Sequence, residues 1–201
     1  MMADQLYADD DAMAWLEARG LETETIVERQ LGYRTKDDPE RQWRHTIAIP
    51  YFDAQGRWRV TRYRHLRANP VAKYQTPKGG GVNLYNVAAV DAPTVAICEG
   101  EFDSLILHQM GIPSVALPGI NNWQREWRWL FRNSDLVYVV VDNAPEDEEH
   151  ADARSAEERA RNQILAQVGM LVDVERIELP PGSDVTDLFL SDPRALEDLF
   201  L

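Results

Sequence analysis

Thr94-Val95-Ala96-Ile97-Cys98-Glu99-Gly100-Glu101-Phe102-Asp103 changes character halfway along its length. The first five residues form a short apolar run that reads as a strand, and the next five place three acids around a glycine. A glycine directly after Glu99 suits a sharp turn out of the strand, and Asp103–Met110 then reads as a helix closed by Gly111. The alternation continues downstream. Ser114–Leu117 reads as a strand, and Asn121–Phe131 as a Trp-rich helix capped by Asn121, with Gln124 three residues on. Leu136–Val141 is apolar throughout, as a strand buried on both faces should be. A long polar helix is expected over 149–168, followed by a strand over Val172–Leu179. Strands alternating with helices imply a small parallel sheet covered on both faces.

In such a sheet, binding sites form at the carboxyl ends of the strands, and three strands here end in acids. Glu99 stands at the tip of the first, with Asp103 in the following helical turn. Asp142 ends the Leu136–Val141 strand, and Asp184 and Asp187 lie just beyond Leu179-Pro180-Pro181-Gly182-Ser183. Taken singly, each acid has an ordinary structural use: Asp103 can cap its helix, and Asp184 can cap the short turn VTDLFL. Their recurrence at successive strand ends is what points to chemistry. Carboxylates gathered without histidine or thiol suit a hard cation, Mg²⁺ or Mn²⁺, bound through oxygen. Glu99 would be available as a general acid or base.

Upstream of Asp91-Ala92-Pro93 the pattern differs. Residues 11–19 and 23–31 read as two short helices ended by Gly20 and Gly32. His45–Tyr51 and Arg57–Tyr63 flank the turn Phe52-Asp53-Ala54-Gln55-Gly56 as a hairpin, and Pro77–Gly81 reads as a loop. The chain of 201 residues has a net charge of −13, which by itself disfavours a polyanionic partner. The charge is uneven, however. Arg41–Lys78 holds nine Lys/Arg (Arg41, Arg44, Arg57, Arg59, Arg62, Arg64, Arg67, Lys73, Lys78) against Asp53 alone. Trp43, Trp58, Tyr63 and Tyr74 are interleaved with these cations. That mixture suits a nucleic-acid track and equally suits a hairpin with a basic solvated face. The near-alternate spacing of Arg57, Arg59, Arg62 and Arg64 predicts that one strand face is strongly positive.

Cys98 is the single cysteine, so no intramolecular disulfide and no zinc ribbon can form, and it reads as a buried small hydrophobe. The four histidines share no ligand spacing. No apolar run approaches the ~18 residues that span a bilayer, and the acidic N-terminus lacks a signal pattern. A cytoplasmic location is expected, in the host if the source is viral. The expected organisation is an α+β subdomain over 1–92 with the basic hairpin, an α/β domain over 93–190, and a helical tail over 191–201.

At its acidic strand ends the sequence resembles the Toprim family, shared by DnaG-type primases, topoisomerases, and certain nucleases and repair proteins. Val95–Asp103 is similar to that family's strand followed by Glu-Gly-x-x-Asp, and Val137–Asp142 to the strand leading into its Asp-x-Asp. The resemblance extends upstream towards the catalytic core of bacterial and phage DnaG-type primases. Trp15–Tyr33 is similar to its helix, Gly-Leu, helix, Leu-Gly-Tyr opening. Ile47–Tyr51 with Asp53 and Gly56, then Arg62–Arg64, Lys73-Tyr74 and Leu84-Tyr85, are similar to later elements. It covers roughly residues 13–190.

The resemblance implies a Rossmann-like Toprim sheet, with Glu99, Asp103 and Asp142 as catalytic acids. Mg²⁺ or Mn²⁺ would sit on Glu99, Asp142, Asp184 and Asp187. Template DNA or nucleotide would meet Arg62, Arg64, Arg67, Lys73, Tyr74 and Lys78. The implied activity is Mg²⁺-dependent synthesis of short RNA primers on single-stranded DNA, with ribonucleotides as substrates. Primases of this type also use a zinc-binding template-recognition part and a helicase, which are expected on other chains. One departure stands out: Ala144 occupies the second position of Asp-x-Asp, so Asp147 or Glu146 is the candidate replacement ligand. A Toprim nuclease, or a catalytically weakened nucleic-acid-binding replication module, are the alternatives.

Overall fold

The computed structural model describes residues 2–67, 70, 72–140, 142 and 151–201, and the chain divides into two compact units, Met1–Gly81 and Val82–Leu201. The first unit begins with three short helices: α1 (Met2–Tyr7), α2 (Asp10–Glu17) and α3 (Thr23–Glu28). The Asp9 carboxylate accepts the Ala12 N–H at 3.0 Å and so starts α2. Helix α3 stops three residues short of the expected Leu31. Gln30 adopts φ 53° and the Leu31 N–H donates to the Ile26 carbonyl at 3.0 Å, which folds the fully buried Leu31 back onto the core.

An antiparallel sheet follows in the order β1 (Gly32–Arg34), β2 (Thr46–Phe52), β3 (Trp58–His65), β4 (Tyr74–Gln75). The expected hairpin is β2–β3, with Gly56 at φ 72° in its turn and the Asp53 carboxylate accepting the Gln55 and Arg57 amides. The single strongly positive face does not form. Side chains alternate along β3, so Arg62 and Arg64 lie on the face carrying Tyr74, while Arg59 shares the other face with Thr61 and Tyr63.

The second unit is the expected α/β layer. Its elements are β5 (Thr94–Cys98), α4 (Glu101–Gln109), β6 (Ser114–Ala116), β7 (Leu136–Val140), α5 (Ala151–Val168), β8 (Asp173–Ile177), α6 (Val185–Ser191) and α7 (Pro193–Asp198). The sheet is parallel, in the order β6-β5-β7-β8. On one face Val95, Ile97, Val137 and Val139 meet Ile164 and Val168 of α5 in the main core cluster. Towards the other face, α4 packs on β5 and β6, and Tyr138 meets Phe200 ring edge to ring face at 5.2 Å. β5 leads into β6 on one side, whereas β7 is laid on the other. The carboxyl ends of β5 and β7 therefore flank the topological switch point, where open α/β sheets leave a crevice.

One expected element differs in kind. Asn121–Phe131 is two 3₁₀ segments, Ile120–Asn122 and Arg125–Phe131, interrupted by extended backbone at Trp123 and Gln124. Breaking the helix lets Trp123 meet both Trp127 (edge-on, 5.9 Å) and Phe131 (stacked, 6.4 Å) against the core. The Trp-rich stretch is thus largely packing surface. Among the described residues, no helix is long and apolar enough to cross a membrane.

Candidate functional site

The second unit carries the acidic site. Glu99 follows the last residue of β5 and is half-buried, Asp103 lies in the first turn of α4 at 5% exposure, and half-buried Asp142 follows β7. Gly100 has extended backbone (φ −119°, ψ 156°), so the reason for glycine is space rather than a left-handed turn. A Cβ there would sit 2.9 Å from Asp103 Oδ2, the same oxygen that accepts the Gly100 N–H at 3.2 Å.

The acids act on one another. Burial first, then the charges of Asp184 and Glu99, push the Asp103 carboxyl up from 3.8 to about 7, against hydrogen bonds from Thr186 that favour the ionised form. Burial pushes Asp142 further, to about 9, with Asp103, Glu99, Asp184 and Glu157 adding to it in that order. Arg161, itself buried in α5, donates Nη2 to the Asp142 backbone carbonyl at 3.4 Å and Nη1 to Glu158 at 3.0 Å. It thereby steadies the strand end.

Asp184 and Asp187 have a structural duty as well. Asp184 Oδ1 accepts the Asp187 N–H at 2.7 Å, and Asp187 Oδ2 accepts the Asp184 N–H at 3.4 Å, which makes a reciprocal cap on α6. Asp184 still lies within the field of Asp103 and Asp142, whereas Asp187 is exposed. Asp147, Glu146 and Ala144 lie outside the described residues. The fold thus draws Glu99, Asp103, Asp142 and Asp184 into one electrostatic group.

The donor chemistry of that group is of the kind a hard divalent cation takes. The donors are carboxylate oxygens, and the charges of Asp103, Glu99, Asp184 and Glu157 all push Asp142 upward, so ionising the group together calls for added positive charge. Among the described residues, no three or more His, Cys, Asp or Glu side chains are already drawn together as a cation cage. Asp103 is spent on protein hydrogen bonds at both oxygens, which leaves Glu99, Asp142 and Asp184 as the candidate ligands.

The first unit carries the basic residues. The Arg62 guanidinium lies 4.6 Å from the Tyr74 ring centre and that of Arg64 5.3 Å, and Arg64 also covers Trp15 at 5.4 Å. Burial, with Arg19 nearby, lowers the Arg64 pKa. These two arginines are therefore partly committed to cation–π packing within the unit. Arg67, Lys73 and Lys78 are exposed.

On the face of β3 that carries Arg59 lies a second feature. A cavity of about 910 Å³ is lined by residues including Arg34, Trp43, Trp58, Arg59, Tyr63 and Lys78. Trp43 and Tyr63 stack at 4.4 Å, while Trp58 is 62% exposed and held by its indole N–H on Thr61 Oγ1 at 3.0 Å. The interleaving of aromatics with cations is the sequence signal for this feature, although of its lining residues only Lys78 belongs to the binding set that the resemblance implies.

No protein-family model matches the chain. The Gene 57 protein of Mycobacterium phage D29 is 30% identical over 154 residues, covering 74% of this chain and 93% of that protein. The Aquifex aeolicus primase (zinc-binding and RNA polymerase domains) superposes with a TM-score of 0.78 at 19% identity over 96% of the chain, and the chain spans 56% of that structure. A DnaG primase catalytic domain bound to single-stranded DNA superposes with a TM-score of 0.73 at 22% identity, covering 95% of this chain and 71% of that one.

Proposed function

Because the chain belongs to the family of the mycobacteriophage Gene 57 protein and has the Toprim-containing fold of DnaG-type primase catalytic cores, we propose that it is a primase-like catalytic core. In this reading it joins ribonucleotides into short primers on single-stranded DNA during phage replication. The observation that carries the reading is the group of mutually repelling carboxylates at the switch point, with Asp103 and Asp142 both raised.

Glu99, Asp142 and Asp184 would hold Mg²⁺ or Mn²⁺. When bound, the cation supplies the positive charge that lets these acids ionise together and that draws electrons from phosphate oxygens. The primer 3′-oxygen forms a bond to the α-phosphorus of the incoming ribonucleotide, and the bond from that phosphorus to pyrophosphate breaks. In this reading a Glu99 oxygen left off the cation would receive the 3′-hydroxyl proton. The basic first unit would take the template strand, with the cavity walled by Trp58, Arg59 and Lys78 offering base stacking and phosphate contacts. A replicative helicase and a separate zinc-binding chain would deliver the template.

Purified protein given ribonucleotides, Mg²⁺ or Mn²⁺ and single-stranded DNA should make short oligoribonucleotides, and Glu99→Gln should cut synthesis by at least about a hundredfold. Absence of even dinucleotides with a helicase present would refute this reading. Ala144 favours a second one, a catalytically weakened module that binds single strands. Its mark is salt-sensitive DNA binding that persists in chelator and is lost on Arg62→Ala/Arg64→Ala, with no synthesis. Appearance of degraded DNA with Mn²⁺ would instead identify a nuclease.

A further inference from the structure

The two acidic loops of the second unit are tied together by the side chain of Thr186. Thr186 lies in the first turn of α6 at 3% exposure, between buried Val185 and the cap residue Asp187. Its hydroxyl donates to Asp103 Oδ1 at 3.2 Å across a sequence separation of 83 residues. The other oxygen, Oδ2, accepts the Gly100 N–H. One buried carboxylate is thus gripped by the residue next to Glu99 and by the residue two after Asp184. Helix α6 packs on α4, so a valine of the same shape would satisfy the apolar contacts. What the hydroxyl adds is a directed link.

We propose that Thr186 is a positioning residue which, through Asp103, sets the placement of Glu99 relative to Asp184 and so shapes the divalent-cation site. This rests on the primase-like reading of those acids. Groups that orient metal ligands without touching the metal typically change affinity by about 10- to 100-fold when removed.

The test uses the full chain and Mn²⁺ alone, with binding read from loss of the free-ion electron paramagnetic resonance signal and folding read from melting in chelator. Thr186→Val should weaken Mn²⁺ binding about tenfold or more, and Thr186→Ser, which keeps the donor, should restore it to within about threefold. In an Asp103→Asn background the valine change should cost nothing further, because its route through Asp103 is already cut. Thr186→Ala replaces the valine variant if the latter has no cooperative melt. Wild-type affinity in Thr186→Val, a serine variant as weak as the valine one, or losses that multiply in the Asp103→Asn background would each overturn the proposal. If Glu99→Gln and Asp142→Asn also leave Mn²⁺ binding unchanged, the cation reading itself falls. If those two abolish binding while Thr186→Val does not, only the positioning role falls.

Discussion

Replacing Asp142 by asparagine should stabilise the metal-free chain near neutral pH and change little in mild acid. In the folded chain the Asp142 carboxyl is raised from 3.8 to about 9, by burial first and then by Asp103, Glu99, Asp184 and Glu157. The unfolded chain gives up that proton near pH 4. Between those values the native state holds more protons than the unfolded state, so the contribution of Asp142 to stability falls as pH rises. Each pH unit in this window is worth about 1.4 kcal/mol, or about 2 kcal/mol from pH 5.5 to 7; Asp142 is half-buried, and halving for solvent screening leaves about 1 kcal/mol. For a unit of this size that is a difference of roughly 4 °C in melting temperature. Melts of the wild type and Asp142→Asn in chelator, at pH 5.5 and 7, measure it as the change in the gap between them. His45, whose pKa is lowered chiefly by burial, titrates identically in both chains and cancels. Saturating Mg²⁺ should then raise the wild-type melt at pH 7 and leave the variant almost unmoved. A gap that stays constant, or that widens towards acid, would refute the argument that these carboxylates are crowded together.

Gly100→Ala forces a methyl to 2.9 Å from Asp103 Oδ2 although the backbone tolerates alanine, so calorimetry should show a loss of about 1–2 kcal/mol together with weaker Mn²⁺ binding. Trp58→Ala should weaken binding of a labelled oligothymidylate by about 1–3 kcal/mol, and Lys78→Ala should lower the salt slope by about one, both read by anisotropy, whereas exposed Trp129→Ala should do neither.

Much of the acidic site is legible in the sequence. An apolar run followed by an acid is a local pattern, and it correctly marked Glu99 after β5 and Asp142 after β7. The ordinary structural uses foreseen for Asp103 and Asp184 also occur, one folding back on Gly100 and the other capping α6. Thr186 was invisible, because its partner lies 83 residues away and nothing in VTDLFL distinguishes a linking hydroxyl from a packing one. The Trp-rich segment misled for a related reason. Its helical spacing is real, but ring packing among Trp123, Trp127 and Phe131 outweighed the helix.

Sequence alone determined the strands of the second unit, the helices between them apart from the Trp-rich segment, its parallel sheet, and the placing of acids at strand ends, since hydrophobic periodicity and chain direction are properties of neighbouring residues. Tertiary structure decided that β5 lies beside β7 and that α6 docks on α4. Strand order depends on long-range pairing that no local pattern records. It is that order, and the burial it brings, that turns separate carboxylates into a single group with raised proton affinity.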